Sequence, residues 1–296
     1  MSTLVDGIHL FADKAGLLNL EGHVETALPG VRFFCASKGS PRQPLVYQSG
    51  IIIVVQGRKV IHFPDHHIQY GAGDYLVLGV PMPLECEAFV DNGLPIMGLS
   101  IDVEPALLHQ LVNHMQQHQR YTQSEPCSQI SCAQAAKVDA PLENIIQRLL
   151  VILSNPVETD IFGADVIKEL VYRVLCGPQG KTLFGLAQHD GHYARVARAL
   201  ASLHANYASP ITVETLADEV NMSVSAFHRA FKQVTFESPL QYLKKVRLVK
   251  AKDLITANGS RASEAAFQVG YTSASQFSRE FKRHFNQSPS EVSMSA

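Results

Sequence analysis

The sequence predicts a two-domain α+β chain: a strand-rich N-terminal barrel with accessory helices, then an all-helical C-terminal domain built from two similar helix pairs. Three observations predict it. Between Val31 and Asp102, β-branched and aromatic residues are broken at short intervals by Gly and Pro, the pattern of several short strands. From Glu104 to Cys176, apolar residues recur at three- and four-residue spacing, the pattern of helices. From Tyr193 to the end the pattern is helical throughout, and one stretch of it recurs.

The chain has 296 residues, 46% of them apolar, enough for two ordinary domains with cores. The longest apolar runs, such as Ile51 to Val55, are too short to span a bilayer, so no membrane is expected. The opening MSTLVDGIHLFADK has no basic start followed by an apolar stretch and does not read as a signal peptide. Five scattered cysteines, Cys35, Cys86, Cys127, Cys132 and Cys176, suggest no disulfide framework and place the chain in a reducing cytoplasm. The net charge is −2, but it is unevenly spread. Asp190 to Ala296 holds 13 basic and 9 acidic residues, leaving 12 basic and 18 acidic elsewhere. A basic C-terminal third beside an acidic remainder suits a chain of which one domain meets phosphates.

In order, strands are expected at Val31–Ser37, Leu45–Val55, Lys59–Phe63, Asp74–Leu78, Leu84–Val90 and Pro95–Asp102. In Leu84–Val90, Leu84, Cys86, Ala88 and Val90 alternate with Glu85, Glu87 and Phe89, so one face is apolar. Helices are expected at Glu104–His118, Leu142–Leu153 and Ala164–Cys176, with Leu107, Leu111 and Met115 lining the first. Gln119–Lys137 reads as a polar loop, and Gly177-Pro178-Gln179-Gly180 as a stop. The expected division is 1–180 for the N-terminal domain (barrel about 31–102, helices about 104–176), a linker at 181–192, and an all-helical C-terminal domain at 193–296.

Seven C-terminal helices are expected: Tyr193–Asn206, Val213–Val220, Val224–Val234, Pro239–Ala257, Arg261–Gln268, Ser273–Phe285 and a short one near Pro289. In Val213 to Val234, Leu216, Ala217 and Val220 form the apolar side of a short helix. Asn221 falls where the chain needs a left-handed residue, and Ser223 or Ser225 can cap the next helix. Phe227, Phe231 and Val234 face inward, leaving Ser225, His228, Arg229 and Lys232 outward. That is a helix-turn-helix design. It recurs in Glu264 to Phe285: Ala266 stands for Ala217, Gly270 supplies the turn, and Phe277, Phe281 and Phe285 face inward. Ser275, Ser278, Arg279 and Lys282 face outward, with Arg279 equivalent to Arg229. The helix between the two units is about 27 Å long at about 1.5 Å per residue. It can hold two recognition helices apart by nearly one turn of B-DNA, about 34 Å.

On these residues the chain resembles the AraC/XylS transcription regulators. The first unit matches at Leu216-Ala217, Met222-Ser223, Phe227, Arg229, Phe231-Lys232, Ser238-Pro239, Tyr242-Leu243, Arg247-Leu248 and Ala251. The second matches at Ala266, Val269-Gly270-Tyr271, Ser273, Phe277, Arg279, Phe281-Lys282 and Ser288-Pro289. It departs at Asn286, where the family usually has Gly, and at Ala262 and Ala265, where it prefers bulkier aliphatics. The resemblance implies a sequence-specific regulator, an activator by type. Its outward residues Ser225, His228, Arg229, Lys232, Ser275, Ser278, Arg279 and Lys282 would contact double-stranded promoter or operator DNA, with RNA polymerase as a further partner.

The N-terminal half resembles the cupin-like barrel of one AraC subgroup at Val55-Gln56-Gly57, Tyr70, Gly73-Asp74-Tyr75-Leu76-Val77 and Pro83. This implies effector binding, homodimerisation or both. A barrel lined by Ile61, Phe63, Tyr75, Val77, Cys86, Met97 and Leu99 has room for a small molecule, unless it is filled by its own side chains. A domain that only dimerises, and a metal or redox sensor, are further possibilities for this half. His62, His66 and His67 lie close, but Pro64-Asp65-His66-His67 reads as a hairpin turn and no spaced glutamate accompanies them, so no metal or cofactor is expected. Cys127 and Cys132 sit in the polar loop without a second pair for zinc. No P-loop, dinucleotide glycine pattern or nucleophile elbow appears, so no enzyme is expected.

Overall fold

The computed structural model describes residues 3–63, 66–118, 133–187 and 191–295. The chain divides into two units that change over between Gly191 and His192, with the short strand segments 43–47 and 81–85 grouped with the second. The expected linker at 181–192 is therefore partly structured; its residues 188–190 lie outside the described residues.

The first unit opens with α1 (Thr3–Lys14) and continues through β1 (Gly22–Glu25), β2 (Val31–Ala36), β3 (Ser40–Tyr47), β4 (Gly50–Gln56) and β5 (Arg58–His62). β6 (His67–Gly71), β7 (Asp74–Leu78), β8 (Met82–Phe89) and β9 (Ile96–Ile101) follow. Then come α2 (Pro105–Gln117), β10 (Ala133–Lys137), α3 (Ala140–Leu153), α4 (Pro156–Cys176) and α5 (Gly180–Ala187). The strands form two sheets rather than one closed ring, in the orders β1-β2-β9-β4-β7-β10 and β3-β8-β5-β6.

The six-stranded sheet has two buried faces. On one, Val31, Phe33, Cys35, Ile51, Ile53, Val55, Tyr75, Val77, Met97, Leu99 and Ile101 pack with Ile8 and Phe11 of α1 and with apolar residues of α2 to α5. Every second residue, including Phe34, Ile52, Val54, Leu76, Leu78 and Gly98, points the other way. β4, Gly-Ile-Ile-Ile-Val-Val-Gln, is buried along its whole length because it lies inside the sheet with both faces covered. Gln56 at its end is buried but satisfied: Nε2 donates to Pro95 O at 2.7 Å, and Oε1 lies 2.9 Å from His9 Nε2.

Several elements differ from the expectation. Leu45–Val55 is two strands, split where Gly50 takes φ +144 and a Cβ would lie 2.3 Å from Ile101 O. Ala133–Lys137, expected as loop, pairs antiparallel with β7 from Ala133↔Leu78 to Lys137↔Asp74. Its AQAAK composition favours helix, and the open edge of β7 overrides that preference. α5 occupies the start of the expected linker because Leu183 and Phe184 bury into the helix-covered core. The rest of the loop expected at Gln119–Lys137, with Cys127 and Cys132, lies outside the described residues, as do Pro64 and Asp65 of the expected hairpin turn.

The second unit contains α6 (His192–Ala205), α7 (Val213–Glu219), α8 (Val224–Thr235), α9 (Pro239–Asn258), α10 (Ala262–Gln268), α11 (Ala274–Phe285) and α12 (Pro289–Ser295). All seven expected helices are present, each within a residue or two of its expected ends. Among the described residues no helix is long and apolar enough to cross a membrane.

Candidate nucleic-acid interface

Two helix pairs, α7–α8 and α10–α11, repeat the same local chemistry. In the first, Thr212 and Thr215 form a reciprocal capping box that starts α7. Asn221 then takes φ 53, the left-handed turn its side chain tolerates. Ser223 caps α8, accepting from Ala226 N at 3.3 Å. In the second, Gly270 turns at φ +88, where a Cβ would meet Ala208 O at 2.3 Å, so the position excludes a side chain on two grounds. Ser273 caps α11, accepting from Gln276 N at 3.3 Å. Asn286, where a glycine is usual in the resembled family, ends α11 in the left-handed region at φ 56.

Each second helix is strongly two-faced. Phe227, Phe231 and Val234 of α8 are buried, and Phe227 stands 5.5 Å from Phe231, whose ring meets Tyr242 of α9 edge-on. Phe277 and Phe281 of α11 are buried in a cluster with Leu248, Ala251 and Ile255 of α9 and Ala265, Ala266 and Val269. Small Ala217 and Ala266, both fully buried, let the paired helices cross closely. The opposite faces carry Ser225, His228, Arg229 and Lys232 on α8 and Ser275, Ser278, Arg279 and Lys282 on α11, and all eight are exposed. Among the described residues neither Arg229 nor Arg279 is held in an ion pair within the chain.

A residue absent from the expected site positions this face. Arg247, midway along α9, donates from Nε to Tyr207 O at 2.7 Å, from Nη1 to Gly270 O at 3.2 Å and from Nη2 to Ser209 O at 2.9 Å. One guanidinium thus joins the loop before α7 to the turn between α10 and α11. Its place in the Arg247-Leu248 match is a visible signal, but a charged residue in an amphipathic helix is ordinarily solvated.

The expected effector residues divide between two places. Tyr75, Val77, Met97 and Leu99 lie in the helix-covered core and do not line the space between the sheets. The physical reason is that both faces of this sheet are apolar, so alternation alone does not tell which face the helices cover. Ile61, Phe63 and Cys86 are buried outside that core, on or beside strands of the other sheet. His62 lies 3.1 Å from Glu87 and its ring centroid is 6.2 Å from that of His67, while His66 stacks on Phe63 at 4.6 Å. A separate surface pocket of about 430 Å³ is lined by Gln110, Leu111, His114, Met115, His118, Lys168 and Tyr172.

Comparison with known proteins agrees with this layout. Residues 27–182 match the family model for the AraC-type transcriptional regulator N-terminus, and residues 216–294 match a helix-turn-helix domain. The HTH-type transcriptional regulator AlkR of Acinetobacter baylyi is 41% identical over 97 residues, 33% of this chain and 32% of that protein. The HTH-type transcriptional activator RhaS of an Enterobacter species is 33% identical over 108 residues, 36% of this chain and 38% of its own. The matched stretch thus spans only about a third of the length of these relatives. The lactose operon transcription activator of Staphylococcus xylosus is 26% identical over 250 residues, covering 83% of this chain and 84% of that one. Among solved structures, ToxT of Vibrio cholerae with a bound unsaturated fatty acid superimposes with a TM-score of 0.59 at 13% identity. That match covers 89% of this chain and 94% of ToxT, a likeness of fold. Since the N-terminal family model alone matches more than half of the sequence, the chain belongs to the AraC-type transcriptional regulators, a family of regulators rather than enzymes.

Proposed function

We propose that this protein is a sequence-specific DNA-binding transcription regulator, controlled by a small molecule held in its N-terminal unit. The observation that carries the DNA reading is the repeated exposed face of α8 and α11, with an arginine at the same place on each. Arg229 and Arg279 have the reach and fork geometry to bond guanine O6 and N7 in the major groove. Ser225, His228, Ser275 and Ser278 flank them, and Lys232 and Lys282, one turn on, suit phosphate oxygens. α9, 20 residues and about 30 Å long, has the length to hold the two helices apart by nearly one turn of duplex, about 34 Å. A DNA partner fits a cytoplasmic protein, and the activator names of its relatives support contact with RNA polymerase. The bound fatty acid of ToxT supports a small-molecule effector.

The purified protein is expected to retain fragments of its own upstream DNA against unrelated competitor, with affinity falling steeply as salt rises. Arg229→Ala and Arg279→Ala should each cost about 1–3 kcal/mol and relax preference at one base pair. Equal weakening on all sequences would instead make them phosphate contacts. No specific retention by the folded protein, with or without extracts containing an effector, would sink the DNA reading.

A second copy is the expected partner of the N-terminal unit. Val151 of α3 and Val157, Ile161 and Phe162 of α4 are 50–65% exposed, an apolar surface that a stable monomer seldom leaves to water. Homodimerisation over this face would raise affinity for paired half-sites through effective concentration. Val157→Asp/Ile161→Asp should shift the sedimenting species from dimer to monomer; an unchanged mass would refute this face.

A further inference from the structure

α11 carries one carboxylate, Glu280, next to Arg279 of its outward face. A negative charge on a helix that meets phosphates weakens association unless it is held elsewhere. Glu280 is held. Its side chain is 13% exposed, and Oε1 accepts from Lys244 Nζ of α9 at 3.1 Å and from Gln276 Nε2, one turn earlier on α11, at 3.1 Å. Oε2 accepts from the Tyr271 hydroxyl at 2.9 Å. Tyr271 follows Gly270 in the turn before α11, and its buried ring meets Phe277 edge-on at 5.3 Å. Burial by itself raises the pKa of the carboxyl, but the hydrogen bonds from Gln276, Lys244 and Tyr271 outweigh it and hold the pKa below the ordinary carboxylate value. Glu280 therefore stays ionised at neutral pH and accepts from all of these donors.

The first helix pair differs at this place. Arg229 of α8 is followed by Ala230 where Arg279 is followed by Glu280, and Ala226 stands where α11 has Gln276. Neither alanine has a polar group with which to bind a neighbouring element. α8 is thus seated by its buried phenylalanines, whereas α11 is seated by phenylalanines and by a charged pin. The donors to Glu280 come from α9, from the turn and from the first turn of α11 itself, so the carboxylate restrains rotation of α11 about its own axis. Apolar contacts are non-directional and restrain that rotation less. Side chains reach about 5–6 Å from a helix axis, so a roll of about 10° moves their tips by about 1 Å. A displacement of that size spoils the paired hydrogen bonds between an arginine fork and a guanine edge.

We infer that Glu280 is a positioning residue for base readout: it sets the roll of α11 so that Arg279 meets its base pair. This deepens, and rests on, the reading of α11 as a DNA-contacting helix. The full-length protein is used to select duplexes from a random pool, and affinity is then measured for a selected duplex and for an unrelated one. Glu280→Ala should bind the selected duplex about 10-fold more weakly, in line with the loss of charged hydrogen bonds. It should bind the unrelated duplex at least as well as the wild type does, because a negative charge has left the domain that meets phosphates. A general loss of fold would weaken both. The base pairs at which preference relaxes should be those relaxed by Arg279→Ala and not those relaxed by Arg229→Ala. Glu280→Gln, which still accepts from Lys244 and Tyr271, should recover part of the loss. Tyr271→Phe removes one donor, keeps the ring against Phe277 and should cost about 3-fold on the selected duplex alone. It decides the matter if Glu280→Ala melts well below the wild type. Undiminished preference in Glu280→Ala and Tyr271→Phe, equal losses on both duplexes in Tyr271→Phe, or an Arg279→Ala variant that relaxes no base pair would each overturn the role of Glu280 while leaving a DNA-binding protein. A wild type that selects no duplex overturns the DNA reading itself, and the role of Glu280 with it.

Discussion

Arg247→Met is expected to destabilise the C-terminal unit by about 3 kcal/mol and to weaken DNA binding well beyond any loss of phosphate contact. The three carbonyls that Arg247 bonds, Tyr207, Ser209 and Gly270, belong to loop and turn residues and have no ladder to join. Hydrogen bonds from a charged donor contribute about 1.5–3 kcal/mol each, more than neutral ones. The full sum is not expected, because the Ser209 bond is exposed and its carbonyl regains water. Met preserves the aliphatic stem, so the change reports the guanidinium rather than a cavity. Binding should suffer because Gly270 O fixes the turn that aims α11, while Tyr207 O and Ser209 O fix the approach to α7. Arg247→Lys is the informative control: it keeps the charge but cannot reach three acceptors with one planar fork, and should recover less than half of the loss. Urea unfolding and operator affinity of both variants test this. A stability loss below about 1 kcal/mol for Arg247→Met, against the typical range for such bonds, would show that the clamp is ornamental.

The same contrast between local and non-local forces explains what the sequence reveals. The seven C-terminal helices are legible because each break has its own chemistry: a threonine box at Thr212, left-handed Asn221 and Gly270, serine caps at Ser223 and Ser273, and Pro239 at a helix start. The outward faces follow from the buried phenylalanines by helical period alone. The N-terminal unit depends on pairing between distant strands. β10 is a strand because β7 offers an edge, β1 is short and largely exposed, and β6 is short with Tyr70 its one buried residue. α1 is legible in principle: Leu4, Ile8, Phe11 and Ala12 are buried at helical spacing. What the sequence does not disclose is which face of β2, β4, β7 and β9 the helices cover. That is why Tyr75, Val77, Met97 and Leu99 belong to the core and Phe34, Ile52 and Leu76 to the space between the sheets.

Acid should destabilise the C-terminal unit in a window set by two histidines. His204 of α6 has its pKa pushed down to about 4, first by burial and then by Lys250; its Nε2 lies 2.8 Å from the Tyr242 hydroxyl. His284 of α11 is also pushed down to about 4, first by burial and then by Lys245, with its ring 4.7 Å from that of Phe285. Unfolded, each takes up a proton near pH 6.5. Between about pH 6.5 and 4 the unfolded chain therefore binds protons that the folded chain refuses, and stability falls as pH falls. Above that window both rings are neutral in either state and the contribution is complete; below it both states are protonated and no more is lost. One pKa unit corresponds to about 1.4 kcal/mol, so with some allowance for partial exposure each histidine should account for about 2 kcal/mol. Together they remove a large share of the few kcal/mol that hold an ordinary domain folded. Urea unfolding from pH 7 to pH 4.5 should show this slope, and His204→Gln/His284→Gln should flatten it while costing little at pH 7. The depressed carboxylates Glu21, Glu280 and Glu291 titrate lower, so they cannot mimic a loss that begins near pH 6.5. A slope unchanged in the double variant would mean that other groups set the acid limit. A slope halved in each single variant would assign it to the two rings independently, as their positions on different helices require.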